Sequence, residues 1–156
     1  MNNQTKRQLP PHWSGGWPHC AFTPQEPIVF GQGETILLAE KEPNLLKLGK
    51  SLLENLKYRV LIAGSGTDIL EQCQKEQISM MIFDVEIDPP FAEVENILSA
   101  ARKLQPTMKV LLSTAHDISL GLGCCPPVQD LPVLAKPFTV RSFSQAINQC
   151  LTTTNQ

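Results

Sequence analysis

Five side chains with chemical capability stand at the ends of apolar runs: Glu40 and Lys41, Asp84, Thr114, and Lys136. Asp84 closes the run Ser79-Met80-Met81-Ile82-Phe83. A continuous apolar stretch of that kind suits a strand buried on both faces in the middle of a parallel sheet. Pro89 and Pro90 follow shortly after, and proline has no N–H for a central ladder, so Asp84 should sit where strand gives way to loop. Open α/β sheets bind ligands in the crevice beyond the carboxyl ends of their strands. Two acids, a hydroxyl and two ammonium groups gathered at one such edge would form a polar pocket with Asp84 at its centre.

Positioning these residues requires regular alternation of strands and helices from Glu34 onward. Thr35–Ala39 reads as the first strand, and Leu45, Leu46, Leu48, Leu52, Leu53 and Leu56 recur at helical spacing after it. Tyr58–Ala63 is a second strand, Gly64-Ser65-Gly66 a turn, and Asp68–Glu76 a short helix with Ile69, Leu70 and Cys73 inward. The Asp84 strand is third. Val94, Ile97, Leu98, Ala101 and Leu104 mark the next helix, and Lys109–Thr114 the fourth strand. Gly121, Gly123, Pro126, Pro127 and Pro132 leave room for one or two helical turns between His116 and Pro132. Leu131–Ala135 would be a fifth strand, and Thr139 would cap a last helix burying Val140, Phe143, Ile147, Cys150 and Leu151. Such alternation implies a parallel sheet with helices on both faces, wound by right-handed crossovers. With all strands parallel, the five chemical residues share one edge.

Composition sets bounds on function. The chain has 156 residues, 42% of them apolar and 18% charged, with a formal net charge of −2. One domain with a real core fits that length. No basic run points to nucleic acid, and no apolar stretch reaches the length of a membrane span. Five cysteines without a CxxC or zinc spacing fit a reduced, cytoplasmic protein. Residues 1–33 differ from the rest, holding five of the 13 prolines and both tryptophans, and read as a disordered arm. His12, His19 and Cys20 in that arm are a weak metal signal. The domain is expected over residues 34–152, with 153–156 as a tail and no output domain after it. A nucleotide-binding enzyme would need a glycine-rich phosphate loop, which is missing.

Taken together, Gly31-Gln32-Gly33-Glu34-Thr35-Ile36-Leu37-Leu38-Ala39-Glu40-Lys41-Glu42-Pro43, Ala63–Leu70, Asp84, Thr114 and Lys136-Pro137-Phe138 resemble the receiver domain of two-component response regulators, of the type attached to hybrid histidine kinases. The resemblance covers roughly residues 31–152. It implies a flavodoxin-like sheet of order 2-1-3-4-5, with Asp84 as phosphoacceptor and Thr114 and Lys136 contacting the phosphoryl group. It implies a histidine kinase or phosphotransfer protein, or another signalling protein, as partner, with no role for nucleic acid or membrane. Receivers are signalling modules, whose only catalysis is their own phosphotransfer and dephosphorylation.

Attack by a carboxylate on phosphorus brings anions together, so a divalent cation is needed. Magnesium binds through one or two carboxylates in octahedral geometry. In receivers an aspartate pair and the phosphoacceptor supply them. Here the pair is Glu40 and Lys41, which reduces the metal ligands to Glu40 and Asp84. An ammonium about 4 Å from a carboxylate contributes about 4 kcal/mol at an effective dielectric near 20. Lys41 is therefore expected to occupy the metal's place and clamp Asp84, leaving magnesium binding weak or absent. Val133 takes the position usual for a switch aromatic, and Asp88 is a remote substitute ligand. An atypical pseudo-receiver acting through protein–protein contacts is the first reading, and an active phosphoacceptor the second.

Overall fold

A computed structural model describes residues 27–86, 91–115 and 130–153. The first strand, β1 (Thr35–Ala39), leads into α1 (Pro43–Asn55), followed by β2 (Arg59–Ala63) and α2 (Gly66–Lys75). Then come β3 (Met80–Asp84), α3 (Phe91–Leu104), β4 (Lys109–Thr114), β5 (Val133–Ala135) and a last helix, here α4 (Val140–Thr152). All four strand pairings are parallel, in the order β2-β1-β3-β4-β5. This is the flavodoxin-like doubly wound sheet that the alternation requires. Of the segment expected to hold one or two turns, His116 to Pro132, residues 116–129 lie outside the described residues, as do Asp88 and the histidines and cysteine of the arm.

Each face of the sheet has its own apolar cluster. Leu37, Met81, Phe83, Val110 and Leu112 pack beneath α2 and α3, against Ile69, Cys73, Val94, Leu98 and Ala101. On the opposite face Ile36, Leu38, Met80, Ile82 and Leu111 meet Leu53 and Leu56 of α1 and Phe143, Ile147 and Cys150 of α4. Successive strand side chains point to opposite faces, so both clusters draw on the same strands. Every residue of β3 is buried, as its apolar run requires. Among the described residues, no helix is long and apolar enough to cross a membrane.

The helix stripes differ in part from the sequence reading. Leu53 and Leu56 are buried, but Leu45 and Leu48 of α1 stand 45% and 66% exposed. Leu104 and Val140, also assigned inward, are exposed at the ends of their helices. Hydrophobic spacing located the helices correctly, but a leucine-rich helix has two flanks that fit the same period, and only its neighbour selects one.

Helix ends are held by local chemistry. The Glu42 carboxylate accepts from Asn44 N–H at the start of α1, Ser65 Oγ from Asp68 N–H, and Thr139 Oγ1 from Ser142 N–H within a reciprocal capping box. At its far end α1 closes with Lys57 in the left-handed region, φ 72°. Lys57 N–H reaches Glu54 O and Tyr58 N–H reaches Leu53 O, the paired bonds of a Schellman ending.

Residues 27–33, grouped with the arm by their composition, are tied to the domain. Val29 N–H donates to Ser144 Oγ on α4, and Gly31 N–H to Leu56 O at the end of α1. A Cβ at Gly31 would stand 2.3 Å from the Tyr58 ring, so only glycine lets the strand of chain pass so closely. An arm disordered through residue 33 is therefore not what the structure has. The chain is anchored from Pro27, because these backbone N–H groups find acceptors on two helices.

Candidate functional site

The five residues singled out by spacing do converge on the carboxyl edge, but not in the expected arrangement. Asp84 ends β3, between β1 and β4, and is buried. Glu40 follows β1 directly, its N–H bonded to Ala63 O of β2, and is also buried. Lys136 follows β5, with its N–H donating to Thr114 O at 2.7 Å, which fixes its height above the sheet. The peptide joining Lys136 to Pro137 is cis, and Phe138 beyond it stacks on Phe143 with ring centroids 4.8 Å apart.

At the centre, Lys136 Nζ lies 2.7 Å from Asp84 Oδ2 and 2.9 Å from Glu40 Oε2. One ammonium bridges both carboxylates. Its own side chain keeps 22% of its surface exposed, whereas the Asp84 side chain keeps 5%. The remaining acceptor capacity goes to backbone donors. Asp84 Oδ1 accepts from Glu86 N–H at 2.9 Å, and Glu40 Oε1 from Glu42 N–H at 3.0 Å. Thr114 is buried beside them at the end of β4.

Lys41 is the main difference from the sequence reading. It is exposed, and neither Glu40 nor Asp84 forms an ion pair with it; the ammonium that clamps Asp84 belongs to Lys136. The cause is the alternation of side chains at a strand end. Glu40 continues toward the pocket, and the next residue turns out to solvent as the chain enters α1. Lys41 thus places its positive charge at the rim of the pocket.

Burial pushes both acids upward, and their partners divide their titration. Burial, then hydrogen bonding with the Asp84 carboxyl group, raises Glu40 above its ordinary value, despite Glu42 N–H and Lys136. Burial would also raise Asp84, but hydrogen bonding with Glu40, Lys136 and Glu86 N–H outweighs it and holds Asp84 below its ordinary value. For Lys136 burial works downward and is outweighed by Asp84 and Glu40, so its ammonium is held more firmly. Of the two acids Glu40 is thus the more readily protonated, while Lys136 favours the ionised form of Asp84.

Magnesium requires near-octahedral oxygen coordination at about 2.0–2.1 Å. Among the described residues no group of three or more metal-binding side chains exists, and the two available carboxylates already share an ammonium.

One contributor to the pocket and one to the strap at residues 27–33 carried no obvious sequence signal. The Glu86 side chain reaches Ala115 N–H at 3.4 Å, linking the loop after β3 to the end of β4, while its backbone holds Asp84. An acid two residues past the strand end was the available clue. Ser144, fully buried on α4, had none, because a serine inside an amphipathic helix looks like any small residue.

Against known proteins, no family model matches the chain. It is 28% identical over 116 residues to the transcriptional regulatory protein GlrR of Escherichia coli (strain K12), covering 74% of this chain and 26% of that protein. The chain thus spans about a quarter of that regulator's length. The response regulator receiver protein CpdR of Brucella abortus (strain 2308) is 27% identical over 117 residues, covering 74% of this chain and 95% of that protein. Among solved structures, the receiver domain of a sensor histidine kinase from Pseudomonas aeruginosa PAO1 superposes with a TM-score of 0.64 at 19% identity. That match covers 78% of this chain and 99% of the other, which carries a magnesium ion coordinated in its active-site cleft.

Proposed function

We propose that this two-component receiver domain is an atypical one, which works through protein–protein contacts and in which magnesium-dependent phosphorylation of Asp84 is impaired. The observation that carries the reading is the Lys136 bridge between Glu40 and Asp84, in a pocket whose next residue is Lys41 rather than an acid. Phosphoryl transfer would require an Asp84 oxygen to form a bond to phosphorus as the P–N bond of a phosphohistidine breaks and the imidazole leaves. Both partners are anionic, so the step depends on added positive charge at the phosphoryl oxygens. Lys136 is the pocket's own source of that charge, and it is already committed to two carboxylates. Thr114 ends the adjacent strand β4, and on this reading its hydroxyl is the group that would contact the phosphoryl oxygens. Partners of this reading are a histidine kinase or phosphotransfer protein, or another signalling protein that recognises the fold.

The second reading, an active phosphoacceptor, has one observation in its favour: Asp84 remains ionised, as a nucleophile must. Incubation with acetyl phosphate and magnesium, followed by intact-mass measurement, separates the two. We expect no phosphoryl adduct on the wild type and an adduct on Lys41→Asp, which restores a third carboxylate. A wild-type adduct that disappears in Asp84→Asn would overturn the proposal in favour of the second reading.

A further inference from the structure

We infer that the first 26 residues of this chain dock onto α1 of their own domain, laying Trp17 and Phe22 over Leu45 and Leu48. A leucine stripe on α1 is only half covered. Leu45, Leu48, Leu52 and Leu56 are spaced three or four apart, so they line one flank of α1. Leu56 is buried and Leu52 packs against the core that α1 and α4 share, whereas Leu45 and Leu48 are 45% and 66% exposed. Exposed leucines scattered singly need no explanation, but two on the continuation of a buried stripe do.

What covers the lower end is the chain itself. Gly33 N–H bonds to Lys57 O and Gly31 N–H to Leu56 O, both at the end of α1. Farther upstream, Val29 N–H bonds to Ser144 Oγ, and Pro27 O accepts from Gln145 Nε2, both in the first half of α4. Each helix follows a strand, so the first halves of α1 and α4 both lie at the carboxyl edge of the sheet. Read backward from Gly33 to Pro27, the chain therefore climbs from the far end of α1 toward that edge. Residues upstream of Pro27 are delivered to the level at which Leu45 and Leu48 stand bare. Ile28 and Phe30, 38% and 57% exposed, extend the apolar surface along the same path.

The occupant has suitable chemistry and reach. Among residues 1–26 only Lys6, Arg7 and Glu26 are formally charged, and the segment holds Trp13, Trp17 and Phe22. Phe22 lies five positions before Pro27 and Trp17 ten, spans of at most about 18 and 36 Å. The whole of α1, with 13 residues, is only about 20 Å long. Attachment through Pro27 makes the encounter intramolecular, which raises the effective concentration of the segment at α1. Docking there would cover the flank of α1 close to the Glu40–Asp84–Lys136 pocket, and any partner using that flank would have to displace the segment.

Trp13 and Trp17 are the only tryptophans, so intrinsic emission of the full chain reports on the segment alone. In the wild type the emission maximum should lie to the blue of that of the same protein in denaturant. Leu45→Glu and Leu48→Glu, at exposed positions, should abolish the blue shift while leaving far-ultraviolet circular dichroism unchanged. Leu104→Glu, exposed on α3 against the opposite face, should leave it in place. A wild-type maximum equal to the denatured one would overturn the inference. So would a blue shift unmoved by both α1 substitutions, which means docking elsewhere, or one lost on dilution, which means docking on a second copy.

Discussion

At the scale of single residues, the pocket depends on how one lysine divides itself between two acids. Breaking a buried ion pair by removing one partner commonly costs about 3–5 kcal/mol, because the other charge is stranded. Lys136 keeps 22% of its surface in water, which screens the loss. Lys136→Met should thus cost about 2–3 kcal/mol in chemical denaturation at neutral pH. Glu40 gives a prediction of distinctive sign. Its folded value is raised, so the folded state binds a proton more tightly than the unfolded chain, and its contribution is lost as pH rises through that raised value. Asp84 runs the other way. Its value is depressed, so its contribution is present above the ordinary aspartate range and lost as pH falls through the depressed one. Glu40→Gln should therefore gain on the wild type as pH rises from about 4.5 toward neutrality, in urea titrations repeated across that range. A stability difference that stays flat over the window would mean that Glu40 is ionised there as freely as in the unfolded chain.

At the scale of elements, the ends of helices and the strap at residues 27–33 carry the most specific energetics. Lys57 occupies a left-handed position that costs an L-residue roughly 1–2 kcal/mol. Glycine removes that cost but gains freedom in the unfolded chain, worth about 0.4–1 kcal/mol. Lys57→Gly should consequently stabilise by about 0.5–1 kcal/mol, read as a higher denaturant midpoint with unchanged slope. Gly31→Ala should do the opposite. Its new methyl would collide with the Tyr58 ring, whose buried position leaves little room to yield, at a cost of about 1–3 kcal/mol. Hydrogen exchange of the Val29 and Gly31 amides should then accelerate together, because Ser144 Oγ and Leu56 O anchor one continuous strap.

For the molecule as a whole, stability rests on two clusters divided by one sheet, with β3 at the centre and β2 and β5 at the rims. Phe83 is fully buried beneath α2 and α3, and Phe83→Ala should cost about 3–5 kcal/mol. Val133, on the three-residue edge strand β5, is 43% exposed, and Val133→Ala should remain within about 1 kcal/mol. Equilibrium unfolding of the two variants side by side tests this ranking. A small loss at Phe83 would mean that the face under α2 and α3 is not the principal core.

Strand and helix order, the parallel sheet and the carboxyl edge shared by Glu40, Asp84, Thr114 and Lys136 are legible in the chain alone. Those features follow from local periodicity, and a run such as Met80–Phe83 has few ways to satisfy both its backbone and its side chains. The superposition on known receivers agrees with that order. Three matters depend on contacts between residues distant in sequence. One is which ammonium lies between the acids, since Lys41 and Lys136 are equally cationic on paper and strand-end geometry turns one outward. The second is which flank of α1 is buried, since its leucines satisfy helical spacing on either side until α4 takes its place. The third is that residues 27–33 belong to the domain, since backbone N–H groups leave no trace in composition and acquire partners only when two distant helices are brought together.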